Sequence, residues 1–164
     1  MVAAGALLCG CAGVGVDIDI RQLTPGQSTS RDVVTALGAP AETQKVASGE
    51  TILWYPRLPY GRASYAVRMA PDDHLVAVEQ RLTEQNISHI VRGQTGMKEV
   101  RELLGPPWRP ERYLEREAWT YPMWVEGSPN PKWFVVQMSR DGIVRETQLM
   151  DDPQFLQPDS PHRR

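Results

Sequence analysis

The stretch Gly26-Gln27-Ser28-Thr29-Ser30-Arg31-Asp32-Val33-Val34-Thr35-Ala36-Leu37-Gly38-Ala39-Pro40 decides the fold, because a second version of it follows later in the chain. The second version reads Gly93-Gln94-Thr95-Gly96-Met97-Lys98-Glu99-Val100-Arg101-Glu102-Leu103-Leu104-Gly105-Pro106-Pro107. Glycine, glutamine, valine, leucine, glycine and proline recur in the same order at one constant offset, from Gly26 to Gly93 and from Pro40 to Pro107. Agreement at a fixed offset without gaps indicates an internal repeat.

Each copy of the stretch predicts a short helix. Ser28 or Thr29 in the first copy, and Thr95 in the second, are residue types that cap a helix N-terminus. Asp32 and Glu99 follow in the first turn, where the helix dipole favours a negative charge.

Apolar residues at helical spacing give each helix one face that must be buried. Leu-Gly-x-Pro then ends both helices, since glycine suits the C-terminal turn and proline prevents continuation. A helix of about ten residues is too short to be stable alone, so each must dock on a neighbouring element. The apolar positions are Val33 and Leu37 in the first copy, and Met97, Val100 and Leu104 in the second.

Three strands are predicted after each helix. They cover residues 51–55, 63–69 and 75–82 in the first copy, and residues 118–121, 133–138 and 143–149 in the second. Pro71-Asp72-Asp73 and Arg140-Asp141-Gly142 provide turns between the last two strands of each copy. The expected fold class is α+β, with two tandem αβββ repeats whose short helices pack on antiparallel sheet.

Composition excludes several function classes. The 164 residues carry 18 basic and 20 acidic side chains, a formal net charge of -2, so the chain lacks the basic excess typical of nucleic-acid binding. With 41% hydrophobic and 23% charged residues it has the composition of a globular protein. No stretch approaches the roughly 18 apolar residues of a transmembrane helix.

The first eleven residues resemble the end of a lipoprotein signal. They carry no charge, and a short apolar stretch is followed by Leu8-Cys9-Gly10-Cys11, which is similar to a lipobox. The resemblance implies that Cys11 is lipidated, whereas Cys9 fits less well because bulky Leu8 precedes it. Signal peptides begin with basic residues, and none precedes Arg21, so we expect the natural start to lie upstream of Met1. The alternative is an apolar N-terminal segment that packs on the body.

The predicted organisation follows from these features. Residues 1–11 form a truncated lipoprotein signal and residues 12–21 a linker. The first repeat covers residues 22–83, a linker residues 84–89, and the second repeat residues 90–150. Residues 151–164 are polar and rich in proline, which predicts a disordered tail.

A family resemblance rests on the same motifs. Leu37-Gly38-Ala39-Pro40 followed by Tyr55-Pro56, and Leu104-Gly105-Pro106-Pro107 followed by Tyr121-Pro122, resemble the SmpA/OmlA (BamE-like) outer-membrane assembly lipoproteins. The match covers most of residues 22–82 and 90–149. It implies a lipid-anchored protein on the periplasmic face of the outer membrane, whose partner is an envelope protein such as a β-barrel assembly component. The single-domain assembly factor has one such unit, whereas tandem units are similar to the β-lactamase-inhibitor protein.

Groups that would support catalysis are sparse. His74, His89 and His162 are expected in a turn, the linker and the tail, without the spacing of metal ligands. No nucleophile motif or phosphate-binding loop occurs. We therefore expect a non-catalytic protein without cofactor or metal.

Tryptophans near arginines are the best candidates for a binding surface. Trp108 lies in the proline-rich segment 105–110 and Trp124 in the segment 122–131, and both segments are predicted to be loops. Exposed rings there, near Arg109 and Arg112, are expected to contact a protein partner. The alternative is that the rings only pack within the loops. The leading hypothesis is a scaffold in outer-membrane protein assembly or envelope integrity. A second hypothesis is a periplasmic inhibitor that binds an enzyme such as a β-lactamase or another hydrolase.

Overall fold

The computed structural model describes residues 20–156. Cys9 and Cys11, and with them the predicted lipidation site, lie outside the described residues, as does His162. The described chain begins with a 3-10 helix, Ile20–Gln22, and ends with another, Pro153–Phe155. Between them follow α1 Ser30–Leu37, β1 Glu42–Lys45, β2 Thr51–Pro56, β3 Ser64–Met69, β4 Leu75–Gln80, α2 Glu84–Ser88, α3 Met97–Leu104, β5 Arg109–Arg112, β6 Arg116–Met123, β7 Lys132–Ser139 and β8 Val144–Asp151.

Residues 20–156 form a mixed α+β structure with two antiparallel four-stranded sheets. Sheet 1 has the order β1-β2-β3-β4 and sheet 2 the order β5-β6-β7-β8. The prediction of three strands per repeat was wrong by one strand in each. The missed strands, β1 and β5, have four residues each, are mostly polar and lie at the sheet edge. Neither strand has a buried residue, so their sequences lack the alternation of apolar and polar residues that predicts a strand.

The N-terminus of each helix is capped, but the two copies do it differently. At α1, the Thr29 hydroxyl accepts a hydrogen bond from the Asp32 amide, and the Asp32 carboxylate accepts one from the Thr29 amide at 2.8 Å. At α3, Gly96 occupies the cap position and its amide donates to the Glu99 carboxylate at 2.7 Å. In both copies the carboxylate of the acidic residue in the first turn therefore accepts a hydrogen bond from the backbone amide of the capping residue.

The predicted capping role of Thr95 was wrong. Its hydroxyl accepts a hydrogen bond from the Val91 amide at 2.8 Å, four residues earlier. Ser28 accepts in the same way from the Thr24 amide at 2.9 Å. Both hydroxyls are buried and brace the turn before the helix, one residue ahead of the cap.

The two units keep the same contacts after the helix, although the sequence offset changes. The Tyr55 hydroxyl donates to the Gly38 carbonyl, and the Tyr121 hydroxyl donates to the Gly105 carbonyl, both at 3.0 Å. The two tyrosines are slightly closer together in sequence than the two glycines they contact. The connection from helix to central strand is therefore shorter in the second unit.

The last two strands of each unit share a local irregularity. The register shifts between Arg68 and Met69 in sheet 1, and between Gln137 and Met138 in sheet 2. Met138 follows Met69 at a larger offset than the one that relates the helices, so the ungapped sequence repeat does not extend to the strands. The structural repeat therefore extends through the strands, where the two sequences no longer align without gaps.

Each helix covers its own sheet, as predicted from the apolar spacing. Val33 and Leu37 lie in the core of the first unit, and Val100 and Leu104 lie in the core of the second. Val33, Val100 and Leu104 have no exposed surface. The sheet residues that complete these cores are Leu53, Tyr55, Val67, Met69 and Leu75 in the first unit, and Trp119, Tyr121, Met123, Phe134, Val136, Met138 and Val144 in the second.

The second unit packs on the back of sheet 1. Trp54 lies between the core residues Leu53 and Tyr55, so its side chain points to the other face, yet it is fully buried. A Cβ atom on Gly105, just after α3, would lie only 2.6 Å from the Trp54 ring and 2.7 Å from Ser64 Oγ. The molecule is therefore layered as α1, sheet 1, α3 and sheet 2.

Polar contacts hold the same interface. The Arg81 guanidinium donates to the carbonyls of Glu102 and Leu103, both at 3.2 Å, and so satisfies the last turn of α3. Arg101 on α3 forms an ion pair with Glu42 at the edge of sheet 1. The covered face of sheet 1 thus binds a helix C-terminus through both charge and close apolar contact.

Two predicted boundaries differ from the structure. The linker predicted at residues 84–89 contains α2, which begins after the capping residue Thr83. Residues 151–156, expected in a disordered tail, are instead the end of β8 and a 3-10 helix. The reason is that Asp152 is buried in an ion pair with Arg62 of the first unit. Residues 157–164 lie outside the described part of the chain.

Candidate protein-binding surfaces

Trp108 and Arg109 lie together on the outer face of sheet 2. Phe134 and Val136 point into the core, so Trp133 and Val135 point to the opposite, outer face. The rings of Trp108 and Trp133 meet edge to face, with centroids 5.5 Å apart. The Arg109 guanidinium lies 4.6 Å from the centre of the Trp108 ring. Trp108, Arg109, Trp133, Val135 and Met150, which pairs with Trp133, define the outer patch.

The outer patch occupies the place that is covered in the first unit. Ser64 pairs with Pro56 in sheet 1, and Trp133 pairs with Pro122 in sheet 2, so Ser64 and Trp133 are equivalent. By the same register Glu42 corresponds to Arg109. Sheet 1 presents a small residue and an acid to α3, whereas sheet 2 presents a large ring and a base at the same positions.

Trp124 lies at a junction between the two units. Its side chain is 55% exposed, and the Arg62 guanidinium lies 5.6 Å from its ring centre. Phe155 lies on the same guanidinium, at 5.0 Å. Arg62 also donates to the Asp152 carboxylate at 3.1 Å, and Asp152 is only 2% exposed. Trp124 therefore contacts a buried ion pair that joins the first unit to the end of the second.

Arg112 faces the other side of sheet 2. It pairs across the strands with Glu117, two residues before the core residue Trp119, so its side chain lies on the α3 side. Arg112 Nε donates to one Glu117 oxygen at 3.1 Å, and Trp119 Nε1 donates to the other at 2.7 Å. Arg112 also lines a cleft of about 910 Å³ between α3, β5 and the β7–β8 turn.

The four residues predicted for binding thus lie in three places. Trp108 and Arg109 are in contact, Arg112 lies on the opposite face, and Trp124 lies at the junction between the units. The expected loop was wrong for Arg109, which lies in β5 together with Arg112. Arg62 was not predicted, because an arginine in a glycine turn carries no signal of a partner 90 residues away.

Electrostatics around these places follow from hydrogen bonds and burial. The hydrogen bond to Glu42 raises the pKa of Arg101. The hydrogen bond from Ser139, followed by the Ile143 amide, lowers the pKa of the Asp141 carboxyl. Burial raises the pKa of Tyr121 well above its usual range. Arg101 and Asp141 are therefore charged at neutral pH, and Tyr121 is neutral.

Metal-ligating side chains are scattered in the described part of the chain. Residues 20–156 have no group of three or more His, Cys, Asp or Glu side chains placed to hold a metal ion. Of the two histidines there, His74 lies next to Asp72 in the β3–β4 turn, with 3.4 Å between Nδ1 and the carboxylate. No helix in the same residues is long and apolar enough to cross a membrane.

No family model and no curated protein matches the chain. Among solved structures, an extracellular protein containing a SCP domain from Bacillus anthracis str. Ames is similar at a TM-score of 0.32 and 11% identity. The match covers 93% of this chain and 50% of that protein, so the chain spans about half its length. A similarity of this size carries no argument about function.

Proposed function

We propose that this chain is a non-catalytic binding or scaffold component of the bacterial envelope, lipid-anchored through Cys11 and facing the periplasm at the outer membrane. The observation that carries the binding role is the outer patch. In the first unit the equivalent face is buried by α3, whereas in the second unit Met150 remains 44% exposed beside a half-buried tryptophan pair. Aromatic side chains next to arginine are typical anchors of protein interfaces.

The anchoring part of the proposal rests on Leu8-Cys9-Gly10-Cys11. The envelope role and membership of the SmpA/OmlA family rest on the repeated Leu-Gly-x-Pro and Tyr-Pro motifs. We further propose the tandem arrangement of the β-lactamase-inhibitor protein as the specific fold. The two four-stranded sheets, each with its own short helix, are compatible with that arrangement.

Lipidation is tested by replacing Cys11 with alanine in the protein expressed from its own gene. Membrane fractionation and labelling with an alkyne fatty acid are the measurements, and Cys9→Ala is the matched control. We expect the Cys11→Ala protein to lose both label and membrane association, while the control keeps them. Persistent labelling of the Cys11→Ala protein would refute the anchor.

The binding role is tested by crosslinking in intact cells. A photo-crosslinking amino acid replaces Trp108 or Trp124 in separate variants, and Val34 on the far side of the molecule is the control. Val34 is 42% exposed, so the control site is also accessible. Crosslinks to an envelope membrane protein, absent from the Val34 variant, support a scaffold. A soluble hydrolase would instead identify an inhibitor, and equal crosslinks from all three sites would refute the surface.

A double Trp108→Ala, Trp124→Ala variant separates binding from packing. A folded variant that no longer co-purifies with the partner identified by crosslinking supports the proposal. A folded variant that keeps the partner shows that binding uses another face. Unfolding would show that the rings are structural, and the single Arg109→Ala variant, at an exposed side chain, then tests the outer patch alone.

A further inference from the structure

The cleft between α3 and the edge of sheet 2 is the strongest unassigned feature of the molecule. Its apolar lining includes Met97 from α3, Trp119 from β6 and Ile143 from the β7–β8 turn, with Pro107 and Pro110 at one side. A volume of about 910 Å³ is in the range of ligand sites. The lining comes from α3, β5, β6 and the β7–β8 turn, so its shape depends on the folded second unit.

The charged residues around this cleft are mainly basic. Lys98 and Arg101 come from α3, Arg112 from β5 and Arg140 from the β7–β8 turn. Lys98 and Arg112 have side chains that are 86% and 83% exposed. Lys98 pairs with Glu102 at 3.7 Å and Arg112 with Glu117 at 3.1 Å, and pairs this exposed on the basic side are weak enough for a ligand carboxylate to compete with the partner. This concentration of positive charge occurs in a chain whose net charge is -2.

The lining holds two acids, Glu117 and Asp141, against these four bases. Glu117 accepts hydrogen bonds from Arg112 and Trp119. Asp141 accepts from the Ser139 hydroxyl and pairs with Arg145 at 2.7 Å. The lining therefore carries four bases against two acids, an excess of two positive charges, although Arg101 also pairs with Glu42 outside the cleft.

The first unit differs at the equivalent positions. Ser30 stands where the second unit has Met97, and its hydroxyl donates to Asp73 at 3.0 Å, which ties the start of α1 to the β3–β4 turn. Leu53 stands in place of Trp119. Arg31 and Lys45 correspond to Lys98 and Arg112, whereas Val34 and Pro71 replace the other two bases. The added charge and the added apolar surface therefore belong to the second unit.

We infer that this cleft binds an acidic peptide segment that carries at least one bulky apolar side chain. Positive charges on three separate elements match several carboxylates along a chain better than one small anion, which would leave the apolar lining empty. β5 is an edge strand, so the cleft opens along the sheet edge, where a peptide can lie without entering a closed cavity. The inference rests on the proposed binding role but not on membrane anchoring.

The test is a selection of random peptides displayed on phage against the full chain. Enriched peptides are synthesised with a fluorescent label, and their affinity is measured by fluorescence anisotropy. We expect Asp and Glu to flank Phe, Leu or Trp in the enriched peptides. The double variant Lys98→Glu, Arg112→Glu should weaken their binding about tenfold or more, because two attractive contacts become repulsive. Raising the salt concentration to about 0.5 M should also weaken it.

The internal repeat supplies a matched control. Arg31→Glu, Lys45→Glu makes the same charge reversals at the equivalent exposed positions of the first unit and should leave affinity within about twofold. Chemical shifts of the Trp119 indole N–H, followed by NMR on the unmodified protein, locate the peptide without relying on any variant. Enrichment of basic or uncharged peptides, equal binding to both double variants, or unchanged Trp119 shifts would overturn the inference. If any of these results were obtained while crosslinking in cells succeeded, peptide binding in the cleft would be refuted and the proposed binding role would stand.

Discussion

Gly38 and Gly105 provide the sharpest test of how the two units pack. Both end a helix at nearly the same backbone angles, with φ of 82° and ψ of -172° at Gly38, and φ of 80° and ψ of -166° at Gly105. Only glycine adopts this region readily, so alanine costs about 1–3 kcal/mol of folding free energy at either position. The backbone effect should therefore be alike in the two variants.

The surroundings of the two glycines differ. A Cβ atom on Gly38 would have no atom within 4 Å, whereas one on Gly105 would lie 2.6 Å from the Trp54 ring. Trp54 is fully buried, so it has little freedom to move away. Overpacking at such a site adds about 1–3 kcal/mol. We expect Gly38→Ala to lose about 1–3 kcal/mol and Gly105→Ala about 2–6 kcal/mol.

The assay is urea denaturation of both variants and of the unmodified protein, with the free energy of unfolding extrapolated to water. Trp54→Leu in the Gly105→Ala background should recover part of the loss, and a double-mutant cycle measures that coupling. Equal losses from Gly38→Ala and Gly105→Ala, together with no coupling to Trp54, would show that α3 does not pack on sheet 1 as described.

Three further predictions concern the second unit and its connection to the first. Leu104→Ala should lose about 2–5 kcal/mol in a urea titration, because Leu104 is fully buried in the core, and a loss below about 1 kcal/mol would contradict this. Asp152→Ala should lose about 3–5 kcal/mol by leaving the Arg62 guanidinium buried without its partner, whereas Asp151→Ala, which breaks a more exposed pair with a lysine, should lose less than about 1 kcal/mol. Burial raises the pKa of Tyr121 in the folded protein above that of tyrosine in the unfolded chain, which is about 10. The folded protein therefore keeps its full stability below about pH 10 and loses stability at higher pH, where Tyr121 ionises in the unfolded chain first. Tyr121→Phe should therefore be less stable by about 1 kcal/mol at pH 7, yet show a smaller further loss between about pH 9 and 11 in denaturant titrations.

The helices and their docking were predictable because their signals are local. The acidic residue of the first turn, the apolar spacing and the terminal glycine all lie within one short stretch, and the offset between copies made each helix a check on the other. β7 was predictable for a similar reason, since its buried positions alternate. β1 and β5 were not, because a four-residue polar edge strand is specified by its neighbour rather than by its own sequence.

The candidate surfaces were predictable only in part. Trp108 and Arg109 were identified from their composition, but the ring that Trp108 contacts belongs to Trp133 on β7, two strands further along the chain. The ion pair between Arg62 and Asp152 joins residues 90 positions apart, and neither residue type indicates the other. The cleft needs α3, β5 and a turn together, so only the folded structure brings its charges to one place.

Ser64 and Trp133 occupy equivalent positions in the two sheets, and this difference makes the two ends of the stacked units unlike. A third unit could not continue the stack in the way that the second unit continues the first, because an indole fills the space that the helix end would need. Arg109 would also repel a base placed like Arg101, which pairs with Glu42 in the first unit. The stack therefore stops at two units. One end of it is helix α1 and the other is the aromatic outer face of sheet 2. A partner can distinguish the two ends, so any assembly built on this protein is polar, with each end taking a different neighbour.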